Sequence, residues 1–359
     1  MNIVRQRLNN ERLIGAPFSA PEDAVQWFGA VQAQDFPAAK WGVGQRVKNC
    51  IDADVDEPYQ AGKFLRTHIM RPTWHFVMPE DIRWMQELTA VRVKMLMAPY
   101  DRKLELDASA FNASNAALVK ALSGGNHLMR SEVAKVLEGV GIHAAGQRLG
   151  HLLMRAELDA LVCSGVMRGK QHTYALVDER APKARTLTRD QSLAELARRY
   201  FTSHGPALPQ DFAGWSGLTV ADGRSGVEMA KSHLLHEVVG GKTYWFAPPA
   251  SNAKITDPTV HLLPNYDEYL IAYRDHSPLF EGRPPMDTPA LYDVLSRHIV
   301  VLNGRVIGGW RRTLTSSEVT IETNLPVPLT ETQDGALHYA AADYGRFLGK
   351  SVTVRPGTW

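Results

Sequence analysis

Along the chain, apolar residues at helical spacing give way repeatedly to short β-branched or aromatic runs, with glycine or proline at the joints. Ala20-Pro21-Glu22-Asp23 reads as a helix start, with proline and acids in the first turn. Val25, Phe28, Gly29 and Gln32 fall on one side of the helix that follows. Pro37 disfavours helical backbone at Phe36, so the chain is expected to leave this helix between Gln32 and Asp35. Residues 52–62 are polar and read as a loop. Residues 64–77 carry β-branched and aromatic side chains around Pro72 and predict two short strands or an edge hairpin. In that extended stretch Thr73 and His75 share one face, and Trp74 and Phe76 the other. Residues 81–98 predict a helix, apolar at Ile82, Met85, Leu88, Val91 and Leu96.

The middle of the chain follows a simpler plan. Leu118, Leu122, Leu128, Val133 and Val136 mark two short helices, and residues 149–162 a third. A hairpin over 164–176 turns at Gly169-Lys170. Three helices followed by a hairpin is the order of a winged helix. The order recurs with helices at 192–203, 208–215 and 220–235 and a hairpin over 237–246 turning at Gly240-Gly241. The N-terminal region, ending in the 64–77 hairpin, reads as a third and less regular copy. Beyond Pro248-Pro249 the pattern becomes β-rich: a hairpin over 299–314 with an Asn303-Gly304 turn, a strand at 319–321 and a closing helix over 338–348. The fold class is therefore α+β, with three tandem winged-helix units and a C-terminal antiparallel β-rich module. The divisions fall at 1–105, 106–187, 188–250 and 251–359.

Composition narrows the chemistry. At 359 residues with 44% hydrophobic and 22% charged positions, the chain has ordinary globular composition and room for several cores. No apolar run is long enough for a membrane span, and the N-terminus lacks a secretory signal. Two cysteines, Cys50 and Cys163, provide neither a disulfide framework nor zinc spacing, so a reducing cytoplasm is expected. Between residues 111 and 200 the chain holds thirteen Lys/Arg against eight Asp/Glu, which suits a polyanion-binding face and equally a solvated surface.

The candidate chemistry centres on Val31-Gln32-Ala33-Gln34-Asp35-Phe36-Pro37. Positions i and i+2 diverge on a helix but share a face of an extended segment. Only an unwound Gln-Ala-Gln segment therefore lets both amides converge on one ligand. Two neutral amides cannot act as a strong base or nucleophile, but they can hold a water through donor and acceptor contacts. A bare Q-x-Q also reads simply as polar residues finishing a helix.

Joined with Met70-Arg71-Pro72-Thr73-Trp74-His75, Arg198-Arg199-Tyr200, His204-Gly205-Pro206-Ala207, Leu262-Leu263-Pro264-Asn265-Tyr266-Asp267-Glu268 and Gly308-Gly309-Trp310-Arg311-Arg312, the segment resembles the winged-helix DNA glycosylases of the AlkZ type. The resemblance covers essentially the whole chain. It implies a monofunctional glycosylase that releases alkylated purines of the 7-alkylguanine type from double-stranded DNA, and in some members unhooks interstrand crosslinks. It implies no metal and no organic cofactor, and the expected state is a monomer. The family's Q-x-Q pair matches Gln32 and Gln34 as the catalytic residues. Asp35 stands one place beyond the acid of the related Q-x-D motif and is not a substitute for it.

Thr73 and His75, with Asp35, are candidates for the lesion cleft, while Trp74 reads as core. Arg66, Arg71, Arg168, Lys170, Arg311 and Arg312 are candidates for DNA-backbone contact, and the Asn303-Gly304 hairpin for probing a groove. His276 stands where arginine is expected after Tyr-Arg-Asp, which would make a phosphate contact there depend on pH. Asp267 and Glu268 invite a metal, but two adjacent acids without other ligands read as structural. The rival reading is a non-catalytic winged-helix DNA-binding protein or transcription regulator.

Overall fold

The computed structural model describes residues 1–248, 258–280 and 297–357. After helix α1 (Ile3–Asn10), the chain runs through helix α2 (Pro21–Phe28), strand β1 (Ala30–Gln32), helices α3 (Phe36–Gly44) and α4 (Asp52–Ala61), and strands β2 (Leu65–His68) and β3 (Trp74–Val77). A long helix, α5 (Ile82–Lys103), leads to a second run in the same order. That run is α6 (Ala108–Leu122), β4 (Leu128–Met129), α7 (Arg130–Gly139), α8 (Gly146–Leu158), β5 (Val162–Ser164) and β6 (Thr173–Leu176). In both runs the first strand pairs antiparallel with the last, giving sheet orders β1-β3-β2 and β4-β6-β5. The short helix α9 (Val177–Arg180) precedes a third run: α10 (Arg189–Ser203), α11 (Pro209–Ser216), α12 (Val220–Ala230) and the hairpin β7 (Leu235–Val239) with β8 (Lys242–Phe246). Its first strand has shrunk to a single bridge between Ala207 and Trp245.

Two expectations about the first run are corrected. Helix α2, expected to run on to Gln32, ends at Phe28 and is capped by Gly29, whose φ of +79° suits glycine and whose N–H bonds back to Val25 and Gln26. Pro37 ends nothing: it lies in the first turn of α3, where a missing N–H costs no helical bond. Residues 52–62, expected as a loop, form α4. Its first turn carries Asp52 and Asp54, and Val55, Pro58 and Tyr59 face the interior.

The C-terminal part contains β9 (Val260–Leu263), α13 (Glu268–Ile271), β10 (His298–Leu302), β11 (Arg305–Leu314), β12 (Glu318–Asn324), α14 (Glu331–Leu348) and β13 (Ser351–Pro356), with sheet order β13-β12-β11-β10-β9. Four strands are antiparallel as expected. The fifth pairs parallel with β12, because α14 carries the chain back along the sheet before β13 begins. Asn303 and Gly304 adopt positive φ, as a two-residue hairpin turn requires. Their tip packs inward: a Cβ at Gly304 would collide with Val4, and the Tyr269 hydroxyl donates to the Gly304 carbonyl at 2.8 Å. The hairpin expected to probe a groove is thus held against α1. The expected divisions after residues 105 and 187 fall between elements, whereas the one after 250 lies outside the described residues.

Two cores meet at β1. Val31, Ala33 and Phe76 join Phe28, Trp41, Trp310 and Tyr344 in one. Ala30, Leu65 and Val77 join Trp84, Tyr200, Phe212 and Trp215 in the other. Alternation along the strand assigns each face to its own core, which leaves Gln32 on the side of the third run. Among the described residues no helix is long and apolar enough to cross a membrane.

Candidate active site

Gln32 ends β1 directly opposite His75 on β3. Its side chain is only 9% exposed, and its Oε1 has no hydrogen-bond partner. Gln34, two residues on, is exposed, and its Oε1 accepts from the Trp74 N–H at 3.4 Å. The pair is therefore presented by a strand edge and the residues just past it, rather than by an unwound helix end.

Almost every other polar group of this segment is engaged. The Ala33 N–H donates to the Trp74 carbonyl at 2.7 Å. Arg66 donates from Nε to the Ala33 carbonyl at 3.0 Å and from Nη2 to the Gln34 carbonyl at 3.5 Å. Its guanidinium lies 4.4 Å from the centre of the Trp74 ring. Trp74 is half-buried rather than core, held by His68 at 4.3 Å between ring centres and by Glu157, which accepts its indole N–H at 3.3 Å. Asp35 caps α3, accepting the Ala38 N–H at 3.2 Å, and its second oxygen accepts from Asn265 Nδ2 at 3.3 Å. The Gln32 N–H donates to Glu268 Oε1 at 2.8 Å.

Glu268 is 2% exposed. Its other oxygen accepts the Trp215 indole N–H at 2.8 Å and lies 3.4 Å from His204 Nε2. Burial alone would push this carboxyl up. Contacts from His204, the nearby Arg71 charge and the Gln32 N–H outweigh burial and hold it below the usual range, so it is ionised at neutral pH.

His75 is fully buried. Its Nδ1 donates to the Thr73 carbonyl at 2.9 Å, leaving Nε2 to accept from Arg71 Nη2 at 3.2 Å. Burial, reinforced by the Arg71 charge, pushes its pKa down to about 3, so the ring is neutral. Its lone pair is committed to Arg71, which makes it an orienting group for that guanidinium and a poor base. Thr73 Oγ1 is buried without a partner. The turn before Arg71 is strained: Met70 has φ +63°, and the Arg71 N–H closes onto the Ile69 carbonyl at 2.7 Å. Gly217 of the third run lies against it so closely that a Cβ there would collide with the Met70 carbonyl.

The candidate DNA contacts divide into two groups. Arg66 turns inward onto the Gln-Ala-Gln segment, and Arg71 onto His75, so neither is displayed as a surface cation. Arg168 and Lys170 are exposed at the tip of the second hairpin, Arg168 pairing with Glu132 at 2.7 Å. Arg311 is exposed on β11, and Arg312 is half-buried and donates to the Tyr344 hydroxyl. His276 is buried, with Nε2 on the Leu270 carbonyl at 2.9 Å, and so does not face a phosphate. Asp267 forms a two-pronged pair with Arg46 at 2.7 and 2.8 Å, and no acid or histidine cluster that could hold a metal occurs among the described residues. Lys40, the lysine nearest the Gln-Ala-Gln segment in sequence, is buried in ion pairs with Asp52 and Asp56 at 2.8 Å. Burial raises both cysteine thiols to about 12, which removes them as nucleophiles.

Asn265, His204 and Glu268 lie in the sequence blocks that carried the resemblance and Trp215 outside them, and their convergence on Gln32 has no local signature. The family of AlkZ-like DNA glycosylases matches residues 25–347, a span that includes all of them. The chain belongs to the AlkZ-like DNA glycosylase family. Its fold is similar to that of the Streptomyces sahachiroi DNA glycosylase AlkZ, with a TM-score of 0.81 and 19% identity over 99% of this chain and 98% of that one. No curated protein matches it significantly. Family membership assigns the AlkZ-like chain to DNA repair, with DNA as its substrate.

Proposed function

We propose that the chain is a monofunctional DNA glycosylase that hydrolyses the N-glycosidic bond of alkylated purines of the 7-alkylguanine type, with Gln32 and Gln34 as the catalytic pair. The observation that carries this reading is the buried, unpartnered Oε1 of Gln32, two residues from the exposed Gln34, in a segment most of whose other polar groups are engaged. We read the three helix–hairpin runs as winged helices. The shared orders β1-β3-β2 and β4-β6-β5 support that reading.

A purine alkylated on its major-groove imidazole nitrogen is already cationic, so its bond to C1′ is weak before the enzyme acts. As that bond breaks, the electron pair leaves with the base and positive charge develops on the sugar. Amide oxygens aimed at that charge stabilise it without a tuned base. Water held by Gln34 then adds to C1′ and loses its proton to solvent, while Gln32 supports the sugar and that water. Lys40 is occupied by two carboxylates, which favours hydrolysis over a lysine-linked intermediate. Arg168, Lys170, Arg311 and Arg312 would grip the backbone and position the duplex without reading sequence.

The test is release of 7-methylguanine from a defined duplex, with an interstrand-crosslinked duplex in parallel. The reading predicts free base and an abasic site without strand cleavage. Binding that prefers one undamaged sequence, with no base released from methylated or bulkier adducts, would leave the regulator reading instead.

A further inference from the structure

This inference rests on the glycosylase reading above. The stretch from Asn265 to Glu268, a loop and the first residue of α13, lies outside the three helix–hairpin runs, yet it grips the Gln32–Asp35 segment at both ends. Asn265 reaches Asp35, and Glu268 reaches the Gln32 N–H. β1 is the edge strand of its sheet, so the Gln32 N–H has no strand partner on its outer side. A buried carboxylate takes that place.

We propose that Glu268 is the positioning residue of Gln32, fixing the strand edge so that the unpartnered Gln32 Oε1 is held toward the reacting sugar. The demand is for a carboxylate specifically. Two N–H donors, from Gln32 and Trp215, converge on its separate oxygens at 2.8 Å each, and His204 Nε2 lies 3.4 Å from the second. A glutamine in its place would turn an NH2 group toward one of those donors. Glu268 is 2% exposed and bonds the Gln32 N–H at the edge of β1, so its influence passes through Gln32. The third run supplies the side chain that donates to it, Trp215 near the end of α11, and places His204, just past α10, 3.4 Å away. His204 is itself locked by Ser203 at 2.8 Å and stacked on Tyr200 at 4.9 Å between ring centres. A helix–hairpin run distant in sequence thereby sets the geometry of the strand that carries Gln32.

The experiment is a double-mutant cycle on the full chain, read as single-turnover release of 7-methylguanine alongside duplex binding. Glu268→Gln should slow release by about 10- to 100-fold, the scale of a catalytic group displaced by an ångström or less, with duplex affinity unchanged. In a Gln32→Ala background the same substitution should cost nothing further, while in a Gln34→Ala background it should cost its full factor. Should Glu268→Gln fail to fold, Trp215→Phe removes one anchor of the carboxylate and should show the same dependence on Gln32. Equal losses in both backgrounds, an undiminished rate in the single variant, or a loss that tracks duplex affinity would overturn the assignment. If wild type releases no base, the glycosylase reading fails and this one with it. If wild type is active and the cycle is additive, only this inference fails.

Discussion

The first and second runs share an element order and a strand order, and even a contact. In each, the last residue of the leading strand donates its N–H to a glutamate: Gln32 to Glu268 at 2.8 Å, and Met129 to Glu132 at 2.7 Å. Glu132 comes from the helix that begins at the next residue and closes a capping box there. Glu268 comes from 236 positions away and is buried between Trp215 and His204. β1 is buried at all three positions, whereas both residues of β4 are half-buried. A local cap commits the backbone to a helix at once. A remote clamp leaves the backbone non-helical for three more residues, Ala33 to Asp35, so that Gln34 follows Gln32 outside any helix.

Breaking the two carboxylates separately should give the largest contrast. Glu268→Ala leaves two buried N–H groups without acceptors and should cost on the order of 2–4 kcal/mol in denaturant unfolding, with base release lost. Glu132→Ala removes a solvent-facing cap, should cost about 1 kcal/mol or less, and should leave release intact.

Acid should act on both runs, because burial pushes His172 of the second down to about 4 just as it depresses His75 of the first. The His75 pKa is pushed to about 3 by burial, while the unfolded chain has the ordinary value near 6.5. Above pH 6.5 both states are neutral, and the contribution is fully present. As pH falls, the unfolded state takes up a proton that the native state refuses, so stability drains away down to about pH 3. The urea midpoint should therefore fall between pH 7 and 5.5, and His75→Phe should flatten that slope. An unchanged slope would show that His75 titrates normally and leaves Arg71 unsupported.

Glycines sharpen the comparison further. Gly217→Ala places a methyl against the Met70 carbonyl at φ +70° and should cost roughly 1–3 kcal/mol, slowing release because Arg71 follows Met70. Gly169→Ala at the second hairpin tip meets nothing within 4 Å and should cost about 1 kcal/mol from its positive φ alone, without affecting release. The smallest effect is expected at the same tip. Lys170→Ala should weaken duplex binding evenly across sequences and reduce the salt slope by about one ion, whereas Arg66→Ala should slow release and leave the slope unchanged.

Element order is legible in the sequence because apolar spacing and glycine turns are local signals, and the hairpins at 164–176 and 237–246 show it. The boundaries around Gln32 and Gln34 are harder to read. Gly29 after Phe28 is a helix stop, and Asp35 before Phe36-Pro37 is an N-cap with proline in the first turn, but the amphipathic pattern running on to Gln32 masks both. Arg66 reads as a surface cation until the β2–β3 pairing brings Trp74 to it and the β1–β3 pairing brings the Ala33 and Gln34 carbonyls. Glu268 could not be assigned to Gln32 from spacing at all, since the chain must fold through two further runs before they meet.

The most direct test of the account is the single-turnover rate of 7-methylguanine release by wild type, Gln32→Ala and Gln34→Ala at matched duplex binding. The account predicts release by wild type and a fall of about 100-fold or more in each variant, with affinity for the damaged duplex retained. Full-rate release by either variant would remove that glutamine from the chemistry, and no release by wild type from methylated or bulkier adducts would contradict the catalytic assignment itself.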